Sequence, residues 1–366
     1  MTANTTAANT TTSPRMAVIV PSYNRPDQVP HCLNGLIRQT RSADTVVAVV
    51  RVDDAPTRAV VDAYADRLPI RSAFATEVGL VHALQRGVEE ATEAGADLVV
   101  FTDDDAVPRP EWLARLEAHF VADPSLIGVG GRDRVTEQGV TLDGQRRRVG
   151  LISSYGRLTG NHHLGVGPPR LVQHLKGVNM AFRLDALREV NFDPRLLGTG
   201  AQVCNEVSLC GGIRRRGGKL LYDPSIVIDH YPAPRPASDA RQGMSPTQTA
   251  EASFNTSLCV LEDLPPTRHG VFHAWSFWVG TGRYPGVAQV VRLMPTLGLG
   301  GALRRWVKSR QGRQLAAEVR RRGPDDRPHP GAEHCVAKTW ADARSDARNN
   351  QVKDVVNDVV MPGSRA

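Results

Sequence analysis

The sequence predicts an α/β fold built on a doubly wound, mostly parallel sheet, and three observations carry that reading. Between Met16 and Phe120, short apolar runs of strand type alternate with stretches of helical periodicity. Each well-marked run ends in a polar loop: Pro21-Ser22-Tyr23-Asn24-Arg25, Asp53-Asp54, and Asp103-Asp104-Asp105. In open sheets of this class ligands bind outside the carboxyl ends of the strands, so the three loops are expected to converge on one crevice.

The elements follow in order. Met16 to Val20 is a short buried strand closed by Pro21, and Asp27 to Gln39 carries Val29, Leu33, Leu36 and Ile37 at helical spacing. A second strand runs from Thr45 to Val52, a helix covers Thr57 to Arg67, and residues 70–75 fit a third strand. Gly79 to Gly95 is a helix with Leu80, Leu84 and Val88 on one face. Leu98 to Phe101 is the strand that drives into the acidic triplet, and a helix covers Pro110 to Phe120. Residues 126–135 fit a further strand, and the Gly- and Arg-rich 136–172 are expected as loops or irregular strands over the site. His162 and His163 there read first as loop histidines. Asp185 is expected to cap a short helix to Val190, Gly198-Thr199-Gly200 to form a flexible joint, and Asn205-Glu206 to open a helix reaching Arg216. Strands are expected at Lys219–Tyr222 and Ile226–Ile228, the latter delivering Asp229-His230. Beyond residue 245 the pattern turns helical, over 246–262, 268–280 and 286–321.

The triplet is the chemical centre. Side chains alternate along an extended chain, so Asp103 and Asp105 point one way and Asp104 the other. Two carboxylates on one side of a strand end suit Mg²⁺ or Mn²⁺, which fills its remaining positions with phosphate oxygens. A solvated acidic turn fits the same residues, and the rest of the chain has to decide.

Composition is consistent with this reading. The 366 residues, 41% of them hydrophobic and 23% charged, allow a sizeable core. The net charge of +7 suits an anionic partner such as nucleotide phosphates or an acidic membrane surface. Five scattered cysteines, without a C-x-x-C pair, match neither a zinc site nor a disulfide framework and suit a reducing compartment. Residues 1–15, rich in Thr, Ala and Asn, are expected as a disordered tail and not a signal peptide. No apolar run approaches 18 residues. The missing G-x-G-x-x-G and G-x-x-x-x-G-K-[ST] motifs argue against dinucleotide oxidoreductases and P-loop enzymes.

Taken together, the ordered motifs resemble family 2 glycosyltransferases, over about residues 16–235. They are Val20-Pro21-Ser22-Tyr23-Asn24-Arg25, Val52-Asp53-Asp54-Ala55, Asp103-Asp104-Asp105 with Pro108 and Trp112-Leu113, Gly177 to Arg183, Asn205-Glu206, and His230. The resemblance implies an inverting enzyme with the A-type nucleotide-diphosphosugar transferase fold: Rossmann-like, with a mostly parallel central sheet. It implies a nucleotide site of Pro21, Tyr23, Arg25, Asp53, Asp54, Asp103 and Asp104, with Tyr23 stacking on the base and Asp54 accepting from an imide N–H. Helix capping is the other reading of Asp54. Asp105 and His230 would hold the Mn²⁺ or Mg²⁺, and Asn179 and Arg183 would line the donor or acceptor pocket. Glu206 would be the general base on the acceptor hydroxyl, although Asn205-Glu206 stands where the family usually has Glu-Asp. His82 departs from the family pattern and takes no role.

The expected organisation is a tail over 1–15, a catalytic domain over 16–240, a helical, basic extension over 241–322 and a flexible tail over 323–366 with one short helix at 351–360. The expected activity is metal-dependent transfer from a nucleotide-diphosphate sugar, with UDP or dTDP favoured over GDP. The acceptor is a glycan, lipid-linked or cell-envelope hydroxyl. Two rivals use the same scaffold: a nucleotidyltransferase, which would want a Gly- and Arg/Lys-rich loop after the first strand, and a non-catalytic nucleotide-sugar-binding protein. A nucleic-acid partner is not expected, because the basic residues lack a recognition motif. The expected location is cytoplasmic. Residues 286–322, Trp-bearing and basic, fit peripheral contact with the inner face of the plasma membrane, or else a helix packed on the catalytic domain with a solvated basic face.

Overall fold

The computed structural model describes residues 13–233 and 245–323. The chain divides into two compact units, Met1–Val319 and Arg320–Ala366. Expectations for residues 1–12 and for 324–366, with its helix at 351–360, lie outside the described residues.

The first half follows the expected alternation: β1 (Met16–Ser22), α1 (Val29–Ile37), β2 (Thr45–Arg51), α2 (Ala55–Asp62), β3 (Ile70–Ala75), α3 (Leu80–Glu93) and β4 (Leu98–Phe101). β1 is buried on both faces. Ala17 and Ile19 enter one core with α3, while Met16, Val18 and Val20 enter a second core with α1. That continuous burial is why the strand reads as an unbroken apolar run. The acidic triplet is followed by β5 (Ala106–Pro108), α4 (Trp112–Ala122) and the long β6 (Leu126–Glu137). Residues 136–172 carry short pieces only: β7 (Val140–Thr141), β8 (Leu151–Ile152), β9 (Leu158–Thr159) and β10 (Arg170–Leu171). Next come β11 (Met180–Arg183), α5 (Leu184–Glu189), α6 (Asn205–Arg215) and β12 (Lys219–His230). The cap of α5 is Arg183, and Asp185 lies in its first turn instead of capping it.

The main sheet runs β10-β12-β6-β11-β4-β1-β2-β3. β1, β2, β3 and β4 pair in parallel, as do β6 and β12, whereas β11 is antiparallel to both β4 and β6. The sheet is therefore mixed, with one reversed strand at its centre. A further correction concerns β12, where two separate strands were expected. It is one strand with a register shift between Asp223 and Val227, and Pro224, which cannot donate to a ladder, falls in the irregular stretch. Gly131 permits the close approach there, since a Cβ would lie 2.0 Å from the Ile226 carbonyl oxygen.

From Pro246 onward the described chain is helical: α7 (Pro246–Asp263), α8 (His269–Trp278) and α9 (Val287–Arg322). α7 begins with a capping box in which Ser245 and Gln248 satisfy each other's backbone N–H. Gly298, at φ 68°, interrupts α9 and divides it into two helical arms. No helix among the described residues is long and apolar enough to cross a membrane.

Candidate active site

β1 and β4 are parallel neighbours, so the Pro21–Arg25 loop and the acidic triplet emerge side by side. The expected alternation does not carry through the triplet: β4 ends at Phe101, the chain turns with Ala106 N–H donating to the Asp103 carbonyl at 3.2 Å, and Arg25 Nη1 reaches both Asp104 and Asp105. Asp104 turns back to accept from Ser22 Oγ at 2.6 Å and from Arg25 Nη1 at 2.5 Å. Burial pushes its carboxyl up to about 6, against the pull of Arg25. Asp103 and Asp105 meet His230, and one ligand atom from each of the three lies within 4.8 Å of the others.

Backbone pairing builds this cluster. β5 runs antiparallel to the end of β12, setting His230 opposite Ala106, and Tyr231 N–H donates to the Asp105 carbonyl at 2.9 Å. Asp105 Oδ2 accepts from Ala233 N–H at 3.0 Å, and Arg25 Nη1 lies 3.2 Å away. His230 Nε2 stands 3.3 Å from Asp105 Oδ1, and Nδ1 stands 3.8 Å from Asp133 Oδ2. Burial works against charge on Asp105, yet His230, the Ala233 N–H and Arg25 hold its carboxyl below the ordinary range. Burial likewise opposes charge on His230, but Asp105 and Asp133 hold the imidazole above its usual value.

Asp105 Oδ1 and both ring nitrogens of His230 are buried and make no aligned hydrogen bond. Buried polar atoms are rarely left so, and hard oxygens with one imidazole are a donor set for Mn²⁺ or Mg²⁺. The residues thus fit the divalent cation that the fold implies.

Two cavities meet here. One, of about 680 Å³, is lined by Pro21, Tyr23, Arg25, Arg51, Gly79, Asp104 and Asp105 among others. The second, of about 630 Å³, is lined by Asp133, His162, His163, His174, Lys176, Glu206, Glu251, Trp275, Arg283 and Tyr284 among others. Asp103 and the Thr199–Ala201 segment line both. Gly198-Thr199-Gly200, expected as a flexible joint, is tied to the start of α3 through Leu80 N–H, which donates to the Gly200 carbonyl at 3.1 Å, and nearby Gln202 Oε1 accepts from Val81 N–H at 2.9 Å. Gln202 and Cys204 both take left-handed backbone angles, φ 40° and 72°, and Cys204 is the N-cap residue just before α6. The sharp entry puts Glu206 in the first turn of α6 on the wall of the second cavity, with Lys176 Nζ 3.7 Å from its Oε1.

Four expected residues sit elsewhere. Asp54 is the N-cap of α2, accepting from Thr57 N–H at 3.2 Å and from Asn24 N–H at 2.5 Å, and it does not line either cavity. It shapes the loop that carries Tyr23 and Arg25. Asp53 grips Arg51 with both oxygens at 2.9 Å, and that guanidinium lies over the Tyr23 ring, 4.9 Å from its centroid. Asn179 is fully buried: it accepts from Trp112 Nε1 at 2.9 Å and donates to the carbonyls of Arg132 and Ile226. Because β11 is antiparallel to β4, Arg183 pairs with Leu98, at the end of the strand away from the triplet. Its guanidinium donates to the carbonyls of Phe120 and Leu126. Neither Asn179 nor Arg183 lines a cavity.

Asp133, Lys176 and the wall supplied by α7 and α8 escaped the sequence reading. Asp133 had a signal: it is a carboxylate in phase with Val129 and Val135 on β6, both buried. The C-terminal wall had none, since nothing in its sequence says where α7 docks.

An A-type transferase fold with a carboxylate–imidazole cluster at the strand ends is thus in place. Its closeness to solved structures is one of fold. S. aureus TarS residues 1–349, in complex with UDP-GlcNAc, superposes with a TM-score of 0.53 at 15% identity, covering 84% of this chain and 92% of that one. GalNAc-T7 with UDP, GalNAc and Mn²⁺ superposes with a TM-score of 0.53 at 14% identity, covering 68% of this chain and 48% of that one. In sequence, validoxylamine A glucosyltransferase of Streptomyces hygroscopicus subsp. jinggangensis (strain 5008) is 32% identical over 120 residues, 32% of this chain. The match spans only 28% of that relative's length. The pattern of glycosyl transferase family 2 matches residues 17–190, and the chain carries a family 2 glycosyltransferase domain over that span.

Proposed function

We propose that the chain is a metal-dependent inverting glycosyltransferase that moves a sugar from a nucleotide-diphosphate donor to an acceptor hydroxyl. The observation that carries this is the place of Asp103, a carboxylate of the cation cluster shared by two cavities, one holding Tyr23 and Arg25 and the other Glu206. The Tyr23 cavity takes the nucleotide, with the Tyr23 ring, backed by Arg51, offering a stacking face to a uracil or thymine base. Pro21 and Arg25 shape the same pocket, and Asp53 and Asp54 contribute by holding Arg51 and the loop. Asp105 and His230, with Asp103, hold Mn²⁺ or Mg²⁺, which when bound supplies charge to offset that of the departing diphosphate.

Glu206 takes the proton from the acceptor hydroxyl as its oxygen bonds to the anomeric carbon. The bond from that carbon to the diphosphate oxygen breaks, and its electron pair leaves with the nucleotide. Attack comes from the face opposite the leaving group, so configuration inverts. The acceptor is a hydroxyl of a glycan, a lipid-linked sugar or a cell-envelope component, and the enzyme works in the cytoplasm at the inner face of the membrane.

Donor binding and turnover test this separately. Asp105→Ala is expected to abolish Mn²⁺-dependent UDP binding in calorimetry, whereas Glu206→Gln is expected to bind UDP normally and lose turnover. Full turnover by Glu206→Gln would remove the base. A panel of nucleotide sugars, screened by thermal shift with Mn²⁺, identifies the donor because a ligand of the folded state raises the melting point. Glucosyl donors head the panel, given the glucosyltransferase named among the relatives. A non-catalytic binding protein would leave nucleotide-sugar hydrolysis silent with and without Mn²⁺.

A further inference from the structure

The second arm of α9 has two faces that do different work. Ala302, Ser309, Gly312 and Ala316 are buried. Ser253 Oγ donates to the Ser309 carbonyl at 2.8 Å, and a Cβ on Gly312 would lie 2.3 Å from the Ala250 carbonyl oxygen, so this face is clamped on α7. Leu299, Leu303 and Val307, spaced i, i+4, i+8, form a different stripe that faces outward, with Leu299 54% exposed. An amphipathic helix normally spends its apolar stripe on its own core, and here the core contact is made by small residues instead.

The surroundings of the stripe say what it meets. Residues 264–317 contain no Asp or Glu and eight cations: Arg268, Arg283, Arg292, Arg304, Arg305, Lys308 and Arg310, with Arg313 buried and donating to the carbonyls of Tyr284 and Pro285. At the end of α8, Trp278 is 61% exposed and continuous with α9 through Phe277, whose ring centroid lies 5.0 Å from that of Trp278 and 6.0 Å from that of Trp306. An outward apolar stripe, an exposed indole linked to the same helix through Phe277 and Trp306, and an excess of arginines along these helices match an anionic bilayer surface: aliphatic groups enter the acyl boundary, the indole sits at headgroup level and the exposed cations meet lipid phosphates.

We propose that Leu299, Leu303 and Val307, with Trp278 and the flanking arginines, dock the protein flat on an anionic membrane. This deepens the proposed function, on which it rests for its meaning: Trp275 on α8 and Arg313 on α9 also line the Glu206 cavity, so docking brings the acceptor side of the site toward lipid-linked substrates.

The test is co-sedimentation of the full chain with vesicles of phosphatidylcholine alone and of phosphatidylcholine mixed with phosphatidylglycerol. The expected result is partition onto the mixed vesicles only, weakened by salt. The variant Leu299→Glu with Leu303→Glu should lower partition by roughly tenfold or more, and Arg304→Gln with Arg310→Gln should lower it and blunt its salt dependence. Donor turnover in free solution should be unchanged in both, which shows that they fold. Equal partition onto both vesicle types, or parent-like partition by the Leu variant, overturns the proposal. So does a Leu variant that converts a dimer to a monomer without changing partition, because the stripe would then be an interface between copies. Intact turnover with no partition sinks the membrane surface alone. Partition with no turnover in the parent sinks the transferase reading alone.

Discussion

Asp54 shows how a motif residue can matter without touching a ligand. Both of its oxygens are taken by backbone N–H groups, one at the start of α2 and one at Asn24. Asp54→Ala is expected to destabilise the fold by about 1–3 kcal/mol, through the lost cap and the N–H left buried. Asp54→Asn, a good capping residue, should recover most of the stability. UDP affinity should follow the loop and fall with Ala more than with Asn. Chemical denaturation and calorimetry on the pair separate the two effects, and an Asn variant that is stable yet blind to UDP would return Asp54 to direct base contact. Asn179 belongs to the same class: its amide stitches α4, β6 and β12 together around the Trp112 indole.

At the scale of elements, the site depends on how α7 and α9 close the second cavity. Gly312 lets the two helices touch. Alanine there would gain about 1 kcal/mol of helix propensity. The added Cβ, however, would press on the Ala250 oxygen and lie 2.8 Å from the Phe254 nitrogen, both backbone atoms that cannot swing aside. Gly312→Ala is therefore expected to be net destabilising, by about 1–3 kcal/mol in urea denaturation. It should also raise KM for the acceptor more than for the donor, because α7 lines the Glu206 cavity and not the Tyr23 one. A neutral or stabilising result would mean that the helices are not packed this closely.

For the whole molecule, acid sensitivity follows from a buried histidine. His162 is 3% exposed, packed edge-on against His174 and Tyr222. Burial, assisted by His174, pushes its imidazole from 6.5 down to about 3. A depressed folded-state value means that the unfolded chain binds the proton more tightly. The contribution to stability is present above about pH 6.5 and is lost as the pH falls toward about 3. Denaturation midpoints measured across that window should fall with pH, and His162→Phe should flatten the slope. An unchanged slope would place the acid sensitivity in other groups.

The residues alone established a good deal. Apolar runs alternating with helical periodicity defined the sheet and its strand ends, because burial on both faces leaves an unbroken mark in sequence. The acidic triplet was legible as a strand-end site, but its expected alternation was not kept, because the chain leaves the strand at Phe101 and turns, so that Asp104 and Asp105 share Arg25. What the tertiary structure decided was everything that depends on direction or on distant contact. The reversed course of β11 carries Arg183 to the far end of β4, and no local propensity encodes strand direction. The pairing of β5 with β12 brings His230 to Asp105 across 125 residues, and the docking of α7 on α6 and α9 builds half of the Glu206 cavity. Periodicity marks a helix or a strand as half-buried, but the partner it buries against is chosen only when the whole chain packs.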